Sequence, residues 1–193
     1  MAYVTTTDVK ADIGVSGTAN DATIAALIAT VEKALEDTTG MQFVKETATR
    51  YVDYWRDDMI RLDYPLVTLT SITNGDGNAV DVNDVVLFPY NGPPYARIIA
   101  KAGAGITFQP SSDGVRDIAV TGDWGYVDSA GNTPDIVRTI VSYQVGYLFN
   151  RMDAVGAVTV FTGDNMVRYA DRDGFWAPEI EGLVMSLVWN KFI

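Results

Sequence analysis

Residues 20–40, NDATIAALIATVEKALEDTTG, carry the clearest helical pattern in the chain. Apolar residues recur at intervals of three and four, which places them on one face of a helix. Asn20 is a favourable N-cap, and Gly40 suits the left-handed position at which many helices end. The pattern therefore predicts a helix over residues 21–39 that gives one face to a core. That face consists of Ile24, Leu27, Ile28, Val31, Ala34 and Leu35.

A short helix is predicted before this segment, over residues 7–13. Thr6 or Thr7 can serve as its N-cap, and Gly14 can end it. The chain therefore opens with two helices.

Two more helices are predicted near the other end of the chain. Residues 134–151 can begin with a Thr133 cap and with Pro134 at the first helical position. Apolar residues surround much of this helix, which indicates burial by more than one partner. Residues 178–191 combine an acidic first turn with an apolar stripe. Residues 153–176 contain several glycines and are predicted to be irregular.

The long middle region, residues 43–127, has a β pattern rich in β-branched and aromatic residues. Residues 74–77, Asn-Gly-Asp-Gly, are a strong turn signal. Residues 122–125, Gly-Asp-Trp-Gly, predict a tight turn closed by an aromatic side chain. The predicted strands are residues 47–54, 59–62, 66–72, 85–88, 96–99, 105–108 and 118–121.

Together these elements predict an α+β, mainly helical fold. We expect a small bundle of about four helices with an inserted antiparallel sheet. A chain of 193 residues can hold one domain with a sizeable core, so residues 1–193 are predicted to be a single domain.

The composition argues against most classes of enzyme. The chain has no His and no Cys, which removes the commonest general base, the thiolate nucleophile and most zinc ligands. We therefore predict no enzymatic activity, no catalytic residues, no cofactor and no metal. The lack of cysteine also fits a reducing cytoplasm.

The charge argues against tight binding to DNA. Lys and Arg number 14 against 25 Asp and Glu, for a net charge of −11, and every segment of the chain is acidic. Duplex DNA is held by clustered Lys and Arg that neutralise phosphates, and no such cluster occurs in the sequence. The longest apolar runs are also too short to cross a bilayer, so no membrane partner is expected.

One acidic stretch resembles a calcium loop but fails as one. Residues 76–87 would need an oxygen ligand at the fifth position, Gly at the sixth and Glu at the twelfth. Those positions hold Val80, Asp81 and Leu87. A hairpin turn followed by a polar strand edge explains the stretch better.

Aromatic residues near the C-terminus and around a proline-rich loop are candidates for a partner interface. Aromatic side chains at exposed ends commonly mark interfaces, although burial in the core of the same chain is an equal alternative. The predicted interface residues are Trp176, Trp189, Phe192 and Ile193 near the C-terminus, and Tyr90 and Tyr95 around residues 91–94.

Several short motifs occur along the chain in a characteristic order. They are Thr7-Asp8-Val9-Lys10, Ile13-Gly14, the helix 21–39 followed by Gly40 and Phe43, Tyr64-Pro65-Leu66, Thr70-Ser71-Ile72, Val120-Thr121-Gly122-Asp123-Trp124-Gly125-Tyr126, Thr133-Pro134 and Pro178-Glu179-Ile180. In this order they resemble the head–tail connector (adaptor) proteins of tailed bacteriophages over nearly the whole chain. The long β segment and the absence of a basic Tyr-Arg ending depart from that family's pattern.

The resemblance implies a structural protein of the virion neck. It implies a homo-oligomeric ring, expected to be a dodecamer, that docks on the portal protein and extends the DNA channel. The ring would offer a platform to a downstream stopper or tail protein and serve head completion, DNA retention and DNA passage, after assembly in the host cytoplasm. Two alternatives stay open: another neck component, such as a stopper or tail-completion protein, or a hydrolase that uses paired carboxylates.

Overall fold

The computed structural model describes residues 2–111, 117–128, 130–152, 159–162, 165–168 and 175–188. The fold is α+β and divides into two compact units. A sheet unit comprises Gly40–Pro134, and a helical unit comprises Met1–Thr39 together with Asp135–Val188. Helices and strands contribute nearly equal numbers of described residues, so the expectation of a mainly helical fold is not confirmed. That the chain forms one domain stays a prediction.

The sheet unit is built on an antiparallel sheet of seven strands. The strands are β1 Glu46–Val52, β2 Tyr54–Arg56, β3 Met59–Thr73, β4 Ala79–Val80, β5 Val85–Phe88, β6 Tyr95–Ala100 and β7 Ile118–Trp124. Five of them follow the order β1-β7-β3-β6-β5, and β2 and β4 also pair with β3. The antiparallel sheet predicted for this region is therefore present.

The long strand β3 joins two segments that the sequence predicts as separate strands. Its register against β6 shifts between Arg61 and Leu66, and beyond the shift β3 pairs mainly with β7. This irregularity lets one strand serve two neighbours in succession.

The strand predicted over residues 105–108 does not form. The side chain of Asn74 is buried and forms hydrogen bonds with the backbone of this segment. Its Nδ2 donates to the Thr107 carbonyl at 3.0 Å, and its Oδ1 accepts from the Gln109 N–H at 2.9 Å. These side-chain bonds satisfy a backbone that the sequence pattern assigns to a strand.

The Gly-Asp-Trp-Gly motif is not the predicted tight turn, because residues 122–124 continue β7. Trp124 is fully buried in the core of the sheet unit, and its Nε1 donates to the Ala48 carbonyl at 2.9 Å. A Cβ at Gly122 would overlap the carbonyl oxygen of Thr68, so the two strands can approach only where this residue is glycine. The prediction of an aromatic plug is correct.

Among the described residues, the helical unit contains four helices and a small hairpin. The helices are α1 Thr6–Ile13, α2 Asp21–Thr39, α3 Asp135–Met152 and α4 Pro178–Ser186. The hairpin consists of β8 Thr159–Thr162 and β9 Asn165–Arg168. It falls in the segment 153–176 that is predicted to be irregular, so the prediction is wrong for these two strands: the glycines of the segment do not prevent a short hairpin.

The ends of α1 and α3 differ from the predicted caps. Thr5, rather than Thr6 or Thr7, caps α1: its hydroxyl accepts from the Asp8 N–H at 3.1 Å, and the Asp8 carboxylate accepts from the Thr5 N–H at 3.1 Å. Gly14 ends α1 in the left-handed conformation, as predicted. The hydroxyl of Thr133, predicted to cap α3, donates to the Phe43 carbonyl at 2.9 Å.

The helix α2 spans the predicted residues 21–39, whereas α4 ends at Ser186 instead of residue 191. Residues 189–193 lie outside the described part of the chain. Among the described residues, no helix is long and apolar enough to span a membrane.

Candidate interface surfaces

A buried amide fixes the start of α4 in the helical unit. Gln144 of α3 is fully buried. Its Nε2 donates to the Phe175 carbonyl at 2.7 Å, and its Oε1 accepts from the Ala177 N–H at 2.9 Å. Both ends of the amide thus bind backbone groups on either side of Trp176, and these bonds set where the chain enters α4. The apolar pattern of α3 gives no sign of this role.

Trp176 itself is 9% exposed and lies edge-to-face against Phe175, with ring centroids 5.0 Å apart. Phe175 is exposed. Of this pair, Phe175 therefore offers more surface to a partner than Trp176 does. Trp189, Phe192 and Ile193 lie outside the described residues.

The helix α4 carries apolar side chains on its outside as well as its inside. Ile180, Val184 and Leu187 are buried. Leu183 and Met185 of α4, and Val188 just after its end, are exposed; we call these three residues the exposed apolar group of α4. Exposed apolar side chains are candidates for contact with a partner.

Tyr90 and Tyr95 lie at the two ends of the loop between β5 and β6. Tyr90 is 67% exposed and lies edge-to-face against Phe88, with centroids 5.3 Å apart. Tyr95 is half-buried, opens β6 and pairs with Leu66 of β3. The structure therefore brings Tyr90 together with Phe88 on the sheet unit, whereas Trp176 belongs to the helical unit. Whether any of these residues binds a partner stays a prediction.

Among the described residues, grooves of mixed polar and apolar lining lie between α1 and α3 of the helical unit. The larger, of about 640 Å³, is lined by residues that include Asp12, Ser142, Tyr143 and Tyr147. Burial, followed by the nearby Glu179 carboxylate, raises the pKa of the Tyr143 phenol, which therefore stays protonated. A Cβ at Gly146 would lie 2.7 Å from Cγ2 of Ile13, so this glycine allows α1 to pack closely on α3.

The smaller groove bears on the carboxylate hydrolase, since Asp8, Asp12 and Asp135 line it together with Arg138. The Thr5 hydroxyl that donates to Asp8 lowers the pKa of this carboxyl, which makes it a poor proton donor. Asp8 is also engaged in the capping box of α1. Among the described residues, no group of three or more acidic side chains is placed to hold a metal ion. Of the carboxyl groups in this groove, Asp8 is therefore not suited to be the acid that a glycoside hydrolase needs.

Comparison with known proteins finds likeness in fold alone. No protein-family model matches the chain, and no curated protein matches it. A solved structure described as the neck of an empty GTA particle, computed with C6 symmetry, matches with a TM-score of 0.52 and 16% identity, over 96% of this chain and 87% of that chain. The chain shares the fold of this neck protein. A second, the neck of a native GTA particle computed with C12 symmetry, matches with a TM-score of 0.50 and 18% identity, over 97% of this chain and 90% of that one.

The resemblance seen in the sequence is thereby confirmed at the level of the fold. The resemblance depends on the order of short motifs that extend over nearly the whole chain, and the two matched structures also cover nearly the whole chain.

Proposed function

We propose that the chain is a structural, non-enzymatic protein of the neck of a tailed-phage particle, where its copies form a closed ring. The observation that carries the proposal is the shared fold with two neck proteins over nearly the full length of the chain. Fold alone does not fix function, so the site must agree. Here the described surfaces offer candidate interfaces and no catalytic constellation.

The ring would dock on the portal protein, continue the DNA channel and present a platform to a stopper or tail protein. A closed ring of identical subunits needs two different faces on each subunit. The exposed apolar group of α4 is suited to one such face, because apolar side chains gain free energy by leaving water. We propose that residues 178–193 contribute to the contact with the portal or with a neighbouring copy.

The strongly acidic chain suits a channel through which DNA moves. A net charge of −11 repels the phosphate backbone, so DNA can pass without being held. For the same reason we expect weak affinity of the purified protein for duplex DNA at physiological salt.

Negative-stain images and light-scattering mass of the purified protein, with and without purified portal protein, test the proposal. A ring, or a complex with portal that contains several copies of the chain, is the expected result. A chain that stays monomeric in both conditions would overturn it. Turnover of a glycan that survives repurification and is lost in Asp12→Asn would favour the hydrolase instead.

A further inference from the structure

A row of arginine and aromatic side chains crosses one face of the sheet unit. Arg61 of β3 lies directly opposite Arg97 of β6, and Arg97 lies directly opposite Phe88 of β5. Residues directly opposite each other in an antiparallel pair share a face. The guanidinium carbon of Arg61 lies 4.6 Å from the ring centroid of Trp55, and that of Arg97 lies 5.1 Å from the centroid of Phe88. We call Trp55, Arg61, Arg97, Phe88 and the adjoining Tyr90 the arginine–aromatic row.

The two arginines of the row have no acidic partner in the part of the chain that the structure describes. Other arginines of the sheet unit do: Arg50 pairs with Glu46, and Arg56 pairs with Asp58. Like charges placed directly opposite each other destabilise a sheet, and here they adjoin in a chain with an excess of acids. The free monomer thus bears an electrostatic cost at this place that a carboxylate would relieve.

The aromatic rings hold the guanidinium groups without neutralising them. Stacking on an aromatic face orients a guanidinium and leaves its N–H edge free for a bidentate bond to a carboxylate. Trp55 is 52% exposed and Tyr90 67% exposed, so both ends of the row are accessible. Arginine and aromatic residues are the types most enriched at protein interfaces.

We infer that the arginine–aromatic row binds an acidic surface of a second copy of this chain. The inference rests on the proposed ring, which requires one face of each subunit to bind a different face of its neighbour. Charge complementarity selects the occupant: each copy carries 25 Asp and Glu against 14 Lys and Arg, so the surface of a neighbour offers carboxylates to the two arginines. DNA is the less favoured occupant, because duplex DNA is held by clusters of several Lys and Arg that neutralise phosphates, and the row has only two arginines.

Charge reversal of the two arginines tests this assignment on the full chain. Arg61→Glu with Arg97→Glu removes the cationic pair, whereas Arg56→Glu changes an exposed arginine that already has an acidic partner. In sedimentation velocity over a range of protein concentrations, we expect the double variant to weaken self-association about tenfold or more and Arg56→Glu to leave it nearly unchanged.

Three outcomes overturn the inference. If the parent and the double variant assemble equally well, the row is not part of the interface, although the proposed ring can still be correct. Equal loss in Arg56→Glu shows an effect of net charge instead of the row. If the parent protein is monomeric at every concentration, a second copy does not bind the row. The proposed role in the neck is tested separately, by the experiment with portal protein.

If the double variant does not fold, a variant that carries a photo-crosslinker tests whether the row contacts a second copy. The chain has no cysteine, so Tyr90→Cys carries a single thiol to which a benzophenone photo-crosslinker can be attached. Irradiation of the assembled protein should give a covalent dimer of the chain. An adduct with DNA, an adduct with another protein, or no adduct would overturn the inference.

Discussion

Both units of the molecule combine a buried apolar core with positions that depend on one residue type. In the sheet unit, the apolar cluster around Trp124 is joined by Gly122, which lets two strands approach, and by the buried amide of Asn74. In the helical unit, an apolar core is joined by Gly146, which lets α1 pack closely on α3, and by Gln144, which uses both ends of a buried amide. Apolar burial tolerates changes that keep volume, whereas a buried hydrogen bond and a close helix contact depend on the identity of one residue.

The largest expected effect is in the sheet unit. Trp124→Ala should lower the free energy of unfolding by about 3–5 kcal/mol, because it leaves a cavity and frees the Ala48 carbonyl. Chemical denaturation followed by circular dichroism measures this. Trp55→Ala, at an exposed tryptophan of the same unit, should change the value by about 0.5 kcal/mol or less. Similar losses for the two variants would contradict the described core.

Loss of the buried amide is expected to be the next largest effect. Gln144→Met keeps the volume of the side chain but leaves the Phe175 carbonyl and the Ala177 N–H unpaired, which should cost about 2–3 kcal/mol. The same change at Gln42, which accepts one long bond of 3.3 Å from Arg50, is the control. Gln42→Met should lower the free energy of unfolding by less than about 1 kcal/mol. If Gln144→Met is as stable as the control, the buried amide of Gln144 does not hold the start of α4.

Alanine at two helical glycines should act in opposite directions. Gly146→Ala should destabilise by about 1–2 kcal/mol, because the new Cβ meets Ile13 and overpacking outweighs the gain in helix propensity. Gly182→Ala in α4, where the structure places no described atom within 4 Å of the new Cβ, should stabilise by up to about 1 kcal/mol. The thermal unfolding temperatures of both variants show whether each change stabilises or destabilises the protein. A stabilising Gly146→Ala would show that α1 and α3 pack less closely than described.

The exposed apolar group of α4 should affect assembly more than folding. Leu183→Ser with Val188→Ser removes exposed side chains, so the free energy of unfolding should change by about 0.5 kcal/mol or less. Ring formation or portal binding should weaken, and this loss should persist at high salt because apolar contacts are not screened. Ile136→Ser, at an exposed apolar residue of α3, is the matched control for both measurements. Normal assembly of the double variant would exclude this surface.

The elements predicted well from the sequence are those with a strong local pattern. The helix over residues 21–39 has the predicted bounds because apolar residues recur at helical spacing and Gly40 ends it. The strand β5 Val85–Phe88 also has the predicted bounds, because it is an uninterrupted run of β-branched and other apolar residues. The strand expected over residues 105–108 does not form, and distant groups bond its backbone instead: the Asn74 amide donates to the Thr107 carbonyl, and the Phe108 N–H donates to the Asp57 carbonyl. Local pattern holds no information about such distant partners.

The candidate surfaces were predicted less well than the fold. Tyr90 is exposed as an interface residue should be, whereas Trp176 is largely buried and its neighbour Phe175 is the exposed one. The arginine–aromatic row was not predicted at all, because Trp55, Arg61, Phe88 and Arg97 come together only through the pairing of four strands. A cluster of basic residues in the sequence would have signalled a cationic surface, but these arginines are spread over about forty positions.

The central claim, that copies of this chain form a ring in the neck of a particle, is tested most directly by cryo-electron microscopy. The particles would be those of the virus that encodes the chain, with the protein identified by fitting both units into the density. The account predicts a closed ring of this fold between the portal and the tail. Density for the chain in the capsid shell or at the tail tip, or its absence from purified particles, would contradict the account.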